Sequence, residues 1–118
     1  MNILIVDDDL LQEKLLVEIF TINHFFAIGA QSGIEALSLL ETTHFDFILS
    51  DIRMPGMDGV ELCRKIKKIN PAINVVLMTA YAGDKLVIEG MQAGALITMS
   101  KPLEIDRLLN QIAFLSRN

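Results

Sequence analysis

Short runs of consecutive apolar residues alternate along the chain with longer segments in which apolar residues recur every three or four positions. The short runs are typical of strands buried on both faces, and the longer spacing predicts amphipathic helices. Five strands are predicted, at residues 3–6, 25–30, 45–49, 73–78 and 95–99. A predicted helix follows each of them, so the fold class is α/β. A doubly wound parallel sheet of five strands with five helices on its two faces is expected.

Polar residues mark the starts of the predicted helices. Asp9 is the predicted N-cap of the first helix, which extends to about Ile22. The apolar face of that helix would consist of Leu11, Leu15, Leu16, Ile19 and Phe20. The other predicted boundary residues are Ser32 and Asp58 at the second and third helices, Pro71 after the third, Gly83 and Asp84 before the fourth, and Pro102 near the fifth.

The composition favours one globular domain over residues 1–118, since 52% of the 118 residues are apolar and 21% are charged. A net charge of −5 argues against direct binding to nucleic acid. The apolar runs are too short to span a membrane, and no basic segment leads a signal sequence. Cys63 is the single cysteine, so no internal disulfide forms and a reducing, cytoplasmic location is expected.

The two ends of the chain differ in what they predict. Met1 stands directly before the first strand, which suggests a natural N-terminus. The ending Ser116, Arg117 and Asn118 contains no linker, so the chain is open to continuation into a further domain.

Chemically active side chains follow the predicted strands where each strand ends. Asp7 and Asp8 follow the first strand, Asp51 the third, Thr79 the fourth and Lys101 the fifth. The carboxyl ends of parallel strands meet at one edge of the sheet, where ligands bind. Three carboxylates beside one lysine repel each other unless a cation is present, and oxygen ligands favour Mg²⁺. The two histidines, His24 and His44, lie in connections and are expected at the surface.

An aspartate carboxylate can also act as a nucleophile toward phosphorus and form an aspartyl phosphate. Such a transfer requires the phosphoryl oxygens to be neutralised and held in line. Mg²⁺ on the acids, the ammonium of Lys101 and the hydroxyl of Thr79 would meet this requirement. Asp51 lies on the middle strand of the group and is therefore the expected acceptor.

Four motifs give the chain a family resemblance: "ILIVDDD", "FDFILSDIRMPGMDGVEL", "VVLMTAY" and "QAGALITMSKP". In their order and spacing they resemble the receiver domain of bacterial two-component response regulators over the whole chain. This resemblance implies a flavodoxin-like sheet with strand order 2-1-3-4-5. It also implies that Asp51 accepts a phosphoryl group from a sensor histidine kinase or a histidine phosphotransfer protein.

The resemblance further implies roles for the residues around the acceptor. Asp8, Asp51 and the backbone carbonyl of Arg53 would bind Mg²⁺ directly, and Asp7 would assist, often through water. Thr79 would bind the phosphoryl oxygens and shift on activation. The ammonium of Lys101 would pair with the phosphoryl group, and the peptide bond between Lys101 and Pro102 would be cis.

The sequence departs from the family pattern at Thr98, where members often have an aromatic residue that moves with the threonine. The usual coupling from Thr79 to the surface around the fourth helix is therefore in question. Tyr81 and Arg53 would border the path of an attacking water, so we expect slow self-dephosphorylation.

Three alternatives to a phosphorylated receiver domain compete with this interpretation. A haloacid-dehalogenase-like phosphohydrolase needs a second acid two residues after its nucleophile, and that position is Arg53. A nucleotide or flavin binder is disfavoured because the chain has neither GxGxxG nor a P-loop. A degenerate receiver that acts as a phosphorylation-independent interaction module stays open. The output domain or partner protein is not indicated by any motif.

Overall fold

Ten elements alternate along the chain in the computed structural model, which describes residues 1–81 and 83–115. The strands are β1 (Asn2–Val6), β2 (Phe26–Ala30), β3 (Phe47–Asp51), β4 (Asn74–Thr79) and β5 (Ile97–Ser100). The helices are α1 (Leu10–Ile22), α2 (Gly33–Leu40), α3 (Gly59–Ile69), α4 (Leu86–Gln92) and α5 (Ile105–Leu115). The chain ending at residues 116–118, discussed above from the sequence, lies outside the described residues.

All strand pairs are parallel, and the order across the sheet is β2-β1-β3-β4-β5. The predicted α/β class, the doubly wound five-stranded sheet and its 2-1-3-4-5 order are therefore confirmed. The strand ends differ from the prediction, since β3 extends to Asp51 and β4 to Thr79. These polar residues continue the ladder because the register pairs Asp51 with Met78 and Thr79 with Ser100. The apolar runs alone gave no sign of this extension.

Alternate residues of each strand enter two separate cores, one on each face of the sheet. Helices α1 and α5 cover one face, and helices α2, α3 and α4 cover the other. The buried residues of the first core are Ile3, Ile5, Leu16, Phe20, Phe47, Leu49, Val76, Met78, Leu108 and Ile112. Strand residues of the second core include Leu4, Val6, Ile48, Val75 and Leu77. The central strand β3 is buried along its whole length.

The predicted apolar face of α1 is wrong for two of its five residues. Leu11 and Leu15 are 81% and 53% exposed, whereas Phe20 is buried as expected. The buried face includes Glu13 instead, which is 9% exposed. A Cβ at Gly29 of β2 would collide with the carboxylate of Glu13, so the absence of a side chain at Gly29 makes room for it. This packing decides which way α1 is rotated toward the sheet.

Side-chain caps begin three of the helices, as predicted. Asp9 accepts hydrogen bonds from the amides of Leu11 and Gln12, and Asp58 accepts one from that of Glu61. In the same way, Ser32 accepts a hydrogen bond from the amide of Glu35. Each contact satisfies an amide that has no partner within its helix.

Helix α4 begins differently from these three helices. Its N-cap position is Lys85, whose side chain makes no capping hydrogen bond. The carboxylate of Asp84 instead accepts a hydrogen bond from the amide of Leu86 at 3.0 Å. Within residues 1–81 and 83–115, no helix has both the length and the apolar character needed to cross a bilayer.

Candidate functional site

Asp51 is the last residue of β3, the central strand, and it is 9% exposed. The chain leaves the strand in a fixed direction because the amide of Ile52 donates to the carbonyl of Met78 at 2.9 Å. It then returns, and the amide of Gly59 donates to the carbonyl of Ile52 at 2.8 Å. The start of α3 is thereby held against the end of β3, and the Asp51 side chain is fixed at the carboxyl edge of the sheet.

Two further carboxylates lie beside Asp51. Asp7 and Asp8 follow β1, the neighbour of β3, and one oxygen from each of the three carboxylates lies within 4.8 Å of the others. Asp7 is fully buried, and its Oδ1 accepts a hydrogen bond from the amide of Asp9 at 3.0 Å. Asp8 is exposed, so the group opens to solvent on that side.

Lys101 directly follows β5, and its ammonium pairs with two of these acids. Its Nζ lies 3.3 Å from Oδ2 of Asp7 and 3.2 Å from Oδ2 of Asp51. The backbone of Lys101 is also fixed, because its amide donates to the carbonyl of Thr79 at 2.7 Å. The peptide bond between Lys101 and Pro102 is cis, as predicted. The ammonium is thus placed between the carboxylates of two different strands.

The charges at this site do not balance. Burial raises the pKa of Asp51, and the charges of Asp7 and Asp8 raise it further, although Lys101 opposes them. For Lys101, burial disfavours the charged ammonium, but the carboxylates of Asp51 and Asp7 outweigh this effect and raise its pKa. One cation therefore compensates only part of the charge of three acids, and the site favours a further cation.

The donor atoms at this site fit a hard divalent ion. All three side chains offer carboxylate oxygens, which Mg²⁺ prefers, and the exposed side at Asp8 leaves room for the waters that Mg²⁺ retains. Zinc sites are usually built with histidine or cysteine, and neither residue type belongs to this group. The predicted magnesium site therefore agrees with the chemistry of the residues that the fold brings together.

Thr79 has a different environment from the acids, although it ends the neighbouring strand β4. Its hydroxyl oxygen accepts a hydrogen bond from the amide of Tyr81 at 3.1 Å. The hydroxyl proton has two acceptors in reach, the carbonyl of Tyr81 at 3.3 Å and Oδ2 of Asp84 at 3.4 Å. Thr79 is 3% exposed, so this small network is largely closed to water.

Arg53, two residues after Asp51, also contacts the carboxylate of Asp84. Its Nε donates to Oδ2 of Asp84 at 3.0 Å, and its Nη2 donates to Oδ1 at 2.7 Å. The Arg53 hydrogen bonds lower the pKa of Asp84, and the amide of Leu86 lowers it further. Asp84 therefore joins the loop after β3 to the loop after β4.

Comparison with known proteins decides the family. The sequence model of the response regulator receiver domain family matches residues 3–113 of the chain. The chain belongs to this family. It is similar to the sporulation initiation phosphotransferase F of Bacillus subtilis (strain 168), with 36% identity over 94% of the chain and 90% of that protein. A CheY-like receiver domain protein from Methanospirillum hungatei JF-1 superimposes with a TM-score of 0.90, at 31% identity over 95% of the chain and 90% of that structure.

Longer proteins also contain segments similar to this receiver domain. The transcriptional regulatory protein ZraR of Klebsiella oxytoca is 38% identical over 91% of the chain, which spans only 24% of that protein. Receiver domains are signalling modules of two-component systems rather than enzymes of the usual kind.

The receiver domain thus brings together four of the residues that the sequence predicted at the site. These are Asp7, Asp8, Asp51 and Lys101. Thr79 reaches the same edge of the sheet, but its hydroxyl contacts Asp84 and Tyr81, and the Arg53 side chain also points to Asp84. His24 and His44 are exposed, as expected.

One residue of this region, Asp84, was not predicted at the site, whereas Thr98 lies on the predicted fifth strand. Asp84 was predicted only to precede α4, and no spacing rule pairs it with Arg53 across 31 positions. Thr98, at the usual aromatic position, lies on β5, and its Oγ1 is 3.6 Å from the sulfur of Met91 in α4. A small polar side chain therefore connects β5 and α4 at this position.

Proposed function

We propose that Asp51 accepts a phosphoryl group from a sensor histidine kinase or a histidine phosphotransfer protein, and that this changes the contacts of the domain with a partner. The observation that best supports the proposal is the position of the Lys101 ammonium, which bridges Asp7 and Asp51 at the end of the central strand. An amine held 3.2 Å from the acceptor carboxylate would pair with an oxygen of the incoming group.

The transfer forms one bond and breaks one. A carboxylate oxygen of Asp51 attacks the phosphorus of a phosphohistidine, the P–N bond breaks, and the histidine nitrogen keeps the electron pair and takes up a proton. The product on Asp51 is an acyl phosphate. The buried position of Asp51 limits the access of water, which favours transfer from a docked donor over direct hydrolysis.

Mg²⁺ would be held by the carboxylates of Asp7, Asp8 and Asp51 and by the backbone carbonyl of Arg53. When bound, the ion neutralises negative charge that the phosphoryl group adds to an already acidic site. The ammonium of Lys101 would pair with the phosphoryl group, and Thr79 would offer its hydroxyl to a phosphoryl oxygen. Slow hydrolysis of the product, expected from the positions of Arg53 and Tyr81, stays a prediction.

A small phosphodonor provides the direct test of acceptance. Incubation of the wild-type chain with acetyl phosphate and Mg²⁺ should add one phosphoryl group, measured by intact mass spectrometry. The product should be lost on treatment with hydroxylamine, because an acyl phosphate reacts with this nucleophile and a phosphate ester does not. The variant Asp51→Asn should gain no phosphoryl group.

Asp9→Asn is the matched control for this experiment. It changes a neighbouring acid that caps α1, and asparagine is an equally good N-cap, so the fold should be kept. This variant should accept the group as the wild type does. A wild type that gains no mass with Mg²⁺ present would contradict the proposal and favour a phosphorylation-independent interaction module.

A further inference from the structure

The β4–α4 region contains a buried carboxylate that the proposed phosphoryl transfer does not use. The side chain of Asp84 is 1% exposed, whereas that of its partner Arg53 is 56% exposed. A buried carboxylate needs several donors to offset its lost hydration. Asp84 has three nearby, namely the guanidinium of Arg53, the amide of Leu86 and the hydroxyl of Thr79.

These contacts occupy the hydroxyl of Thr79, which the proposed phosphoryl transfer needs. Thr79 can bind a phosphoryl oxygen on Asp51 only if its hydroxyl leaves Asp84 and the backbone of Tyr81. The two strand ends are adjacent, because Met78, next to Thr79, pairs with Asp51 in the register of β3 and β4. A change in the Thr79 side chain and the following loop is therefore enough, without a change in the sheet.

Arg53 makes this arrangement more stable. Its guanidinium donates to both oxygens of Asp84, a two-point contact that a single lysine amine cannot reproduce. Because Arg53 is two residues beyond Asp51, the ion pair links the loop after Asp51 directly to the loop that follows Thr79. An incoming phosphoryl group would compete with Asp84 for the hydroxyl of Thr79.

We propose that Asp84 is a positioning residue: through its ion pair with Arg53 it holds the Thr79 hydroxyl away from Asp51, and this ion pair opens when a phosphoryl group is bound. The proposal rests on the proposed role of Asp51 as phosphoacceptor. The apparent affinity of the site for a phosphoryl group is then reduced by the fraction of molecules in which the ion pair is closed.

A simpler role for Asp84 is to begin α4 by accepting a hydrogen bond from Leu86. The two roles are separable by substitution. In Asp84→Asn the amide oxygen can still accept from Leu86, but the negative charge that binds Arg53 is lost. In Arg53→Met the stem of the side chain is kept, the guanidinium is lost, and Asp84 keeps its contact with the helix.

Tyr81 provides a measurement at the right place. It is the only tyrosine of the chain, which has no tryptophan, and it is hydrogen bonded to Thr79. Its fluorescence should therefore report the rearrangement of this loop. The probe is beryllium fluoride with Mg²⁺, which mimics a phosphoryl group on an aspartate oxygen without forming an acyl phosphate.

Titration of the whole chain with this probe should give an apparent Kd that is about three- to tenfold lower in Asp84→Asn and in Arg53→Met than in the wild type. The double variant should resemble either single variant, because both substitutions remove the same contact. Asp58→Asn, which alters the N-cap of α3, should leave the Kd unchanged. Circular dichroism confirms that each variant is folded.

Three results would overturn the proposal, and they have different meanings. Equal Kd values in the wild type and both single variants would leave Asp84 as a helix cap only. Effects that simply add in the double variant would show that Arg53 and Asp84 act separately. A wild type that shows no Mg²⁺-dependent binding of the probe and no phosphorylation by acetyl phosphate would remove the proposed function as well.

Discussion

Asp46 shows how a single carboxylate contributes to the fold at the edge of the sheet opposite to Asp51. Its Oδ2 accepts a hydrogen bond from the amide of Asn2 at 2.8 Å, and its Oδ1 lies 3.3 Å from Nε2 of His44. The hydrogen bond from Asn2 lowers the pKa of Asp46, and His44 lowers it further, although burial opposes both. The ionised form is therefore favoured in the folded chain.

The sign of this shift predicts a pH dependence. Because the folded-state pKa is below the unfolded value, the stabilisation is present above the unfolded pKa and is lost as the pH falls through the folded pKa. Asp46→Asn should lower the free energy of unfolding at pH 7 by about 1 kcal/mol or less, since the side chain is 41% exposed and partly screened. Urea unfolding between pH 7 and about pH 2 measures the difference, which should shrink below about pH 4.

Glu18→Gln, at an exposed position of α1, is the control for the loss of one charge. A destabilisation by Asp46→Asn that stays constant over the whole pH range would show that the charge of Asp46 is not its source.

At the residue scale, what could be predicted depended on position along a strand. Asp7, Asp51 and Lys101 all follow apolar runs, and parallel strands bring such positions to one edge whatever the details of packing. The ion pair of Arg53 with Asp84 joins two irregular loops, whose paths depend on backbone hydrogen bonds and turns that have no apolar period. The sequence therefore predicted the acidic group and missed Asp84.

Where elements meet, the start of α3 lies against the backbone at the end of β3. A Cβ at Gly59 would collide with the backbone oxygen of Asp51 and would lie 2.9 Å from Cα of Ile52. Both neighbours are backbone atoms of the acceptor segment, so they cannot yield by changing a rotamer. The absence of a side chain at Gly59 allows α3 to begin directly beneath Asp51.

Gly59→Ala should therefore have two effects at once: it should destabilise the domain and displace the backbone of Asp51. We expect the free energy of unfolding to fall by about 1–3 kcal/mol, the usual cost of added volume in a packed region. Acetyl phosphate should also phosphorylate the variant more slowly at a temperature where it is fully folded. Thermal unfolding and intact mass measurements give the two quantities.

Glu61→Ala, exposed two residues along the same helix, should change stability by about 0.5 kcal/mol or less. If Gly59→Ala behaved like this control in both measurements, the close contact with Asp51 would have no consequence.

The apolar pattern predicted every element but not how each helix is rotated. In α1 it placed Leu11 and Leu15 on the inner face, because both fit a broad apolar stripe. The structure instead buries Glu13, which fills the space above Gly29. A period of three to four residues fixes a stripe, whereas the partner surface on β2 decides which side of that stripe faces inward.

For the molecule as a whole, the acidic group makes folding and cation binding interdependent. Three carboxylates face one lysine in the folded chain, and the unfolded chain separates them. A cation that binds this group binds the folded state preferentially and stabilises it by mass action.

Mg²⁺ should accordingly raise the Tm of the wild type. At ten times its dissociation constant the expected stabilisation is about 1.4 kcal/mol, and it should disappear in Asp8→Asn if that substitution abolishes binding. Thermal unfolding in increasing MgCl₂, with NaCl at matched ionic strength, measures the shift. Asp46→Asn, at the other edge of the sheet, should keep the full response to Mg²⁺. An equal response in Asp8→Asn and Asp46→Asn would indicate general screening instead of a site.

The division of the interior into two cores means that the helices form two surfaces on opposite faces of the sheet. Helices α1 and α5 lie on one side of the sheet, and α2, α3 and α4 lie on the other. A protein that recognises the α1 side leaves the α4 side uncovered. The domain therefore has two separate helical surfaces, and a protein bound to one of them does not cover the other.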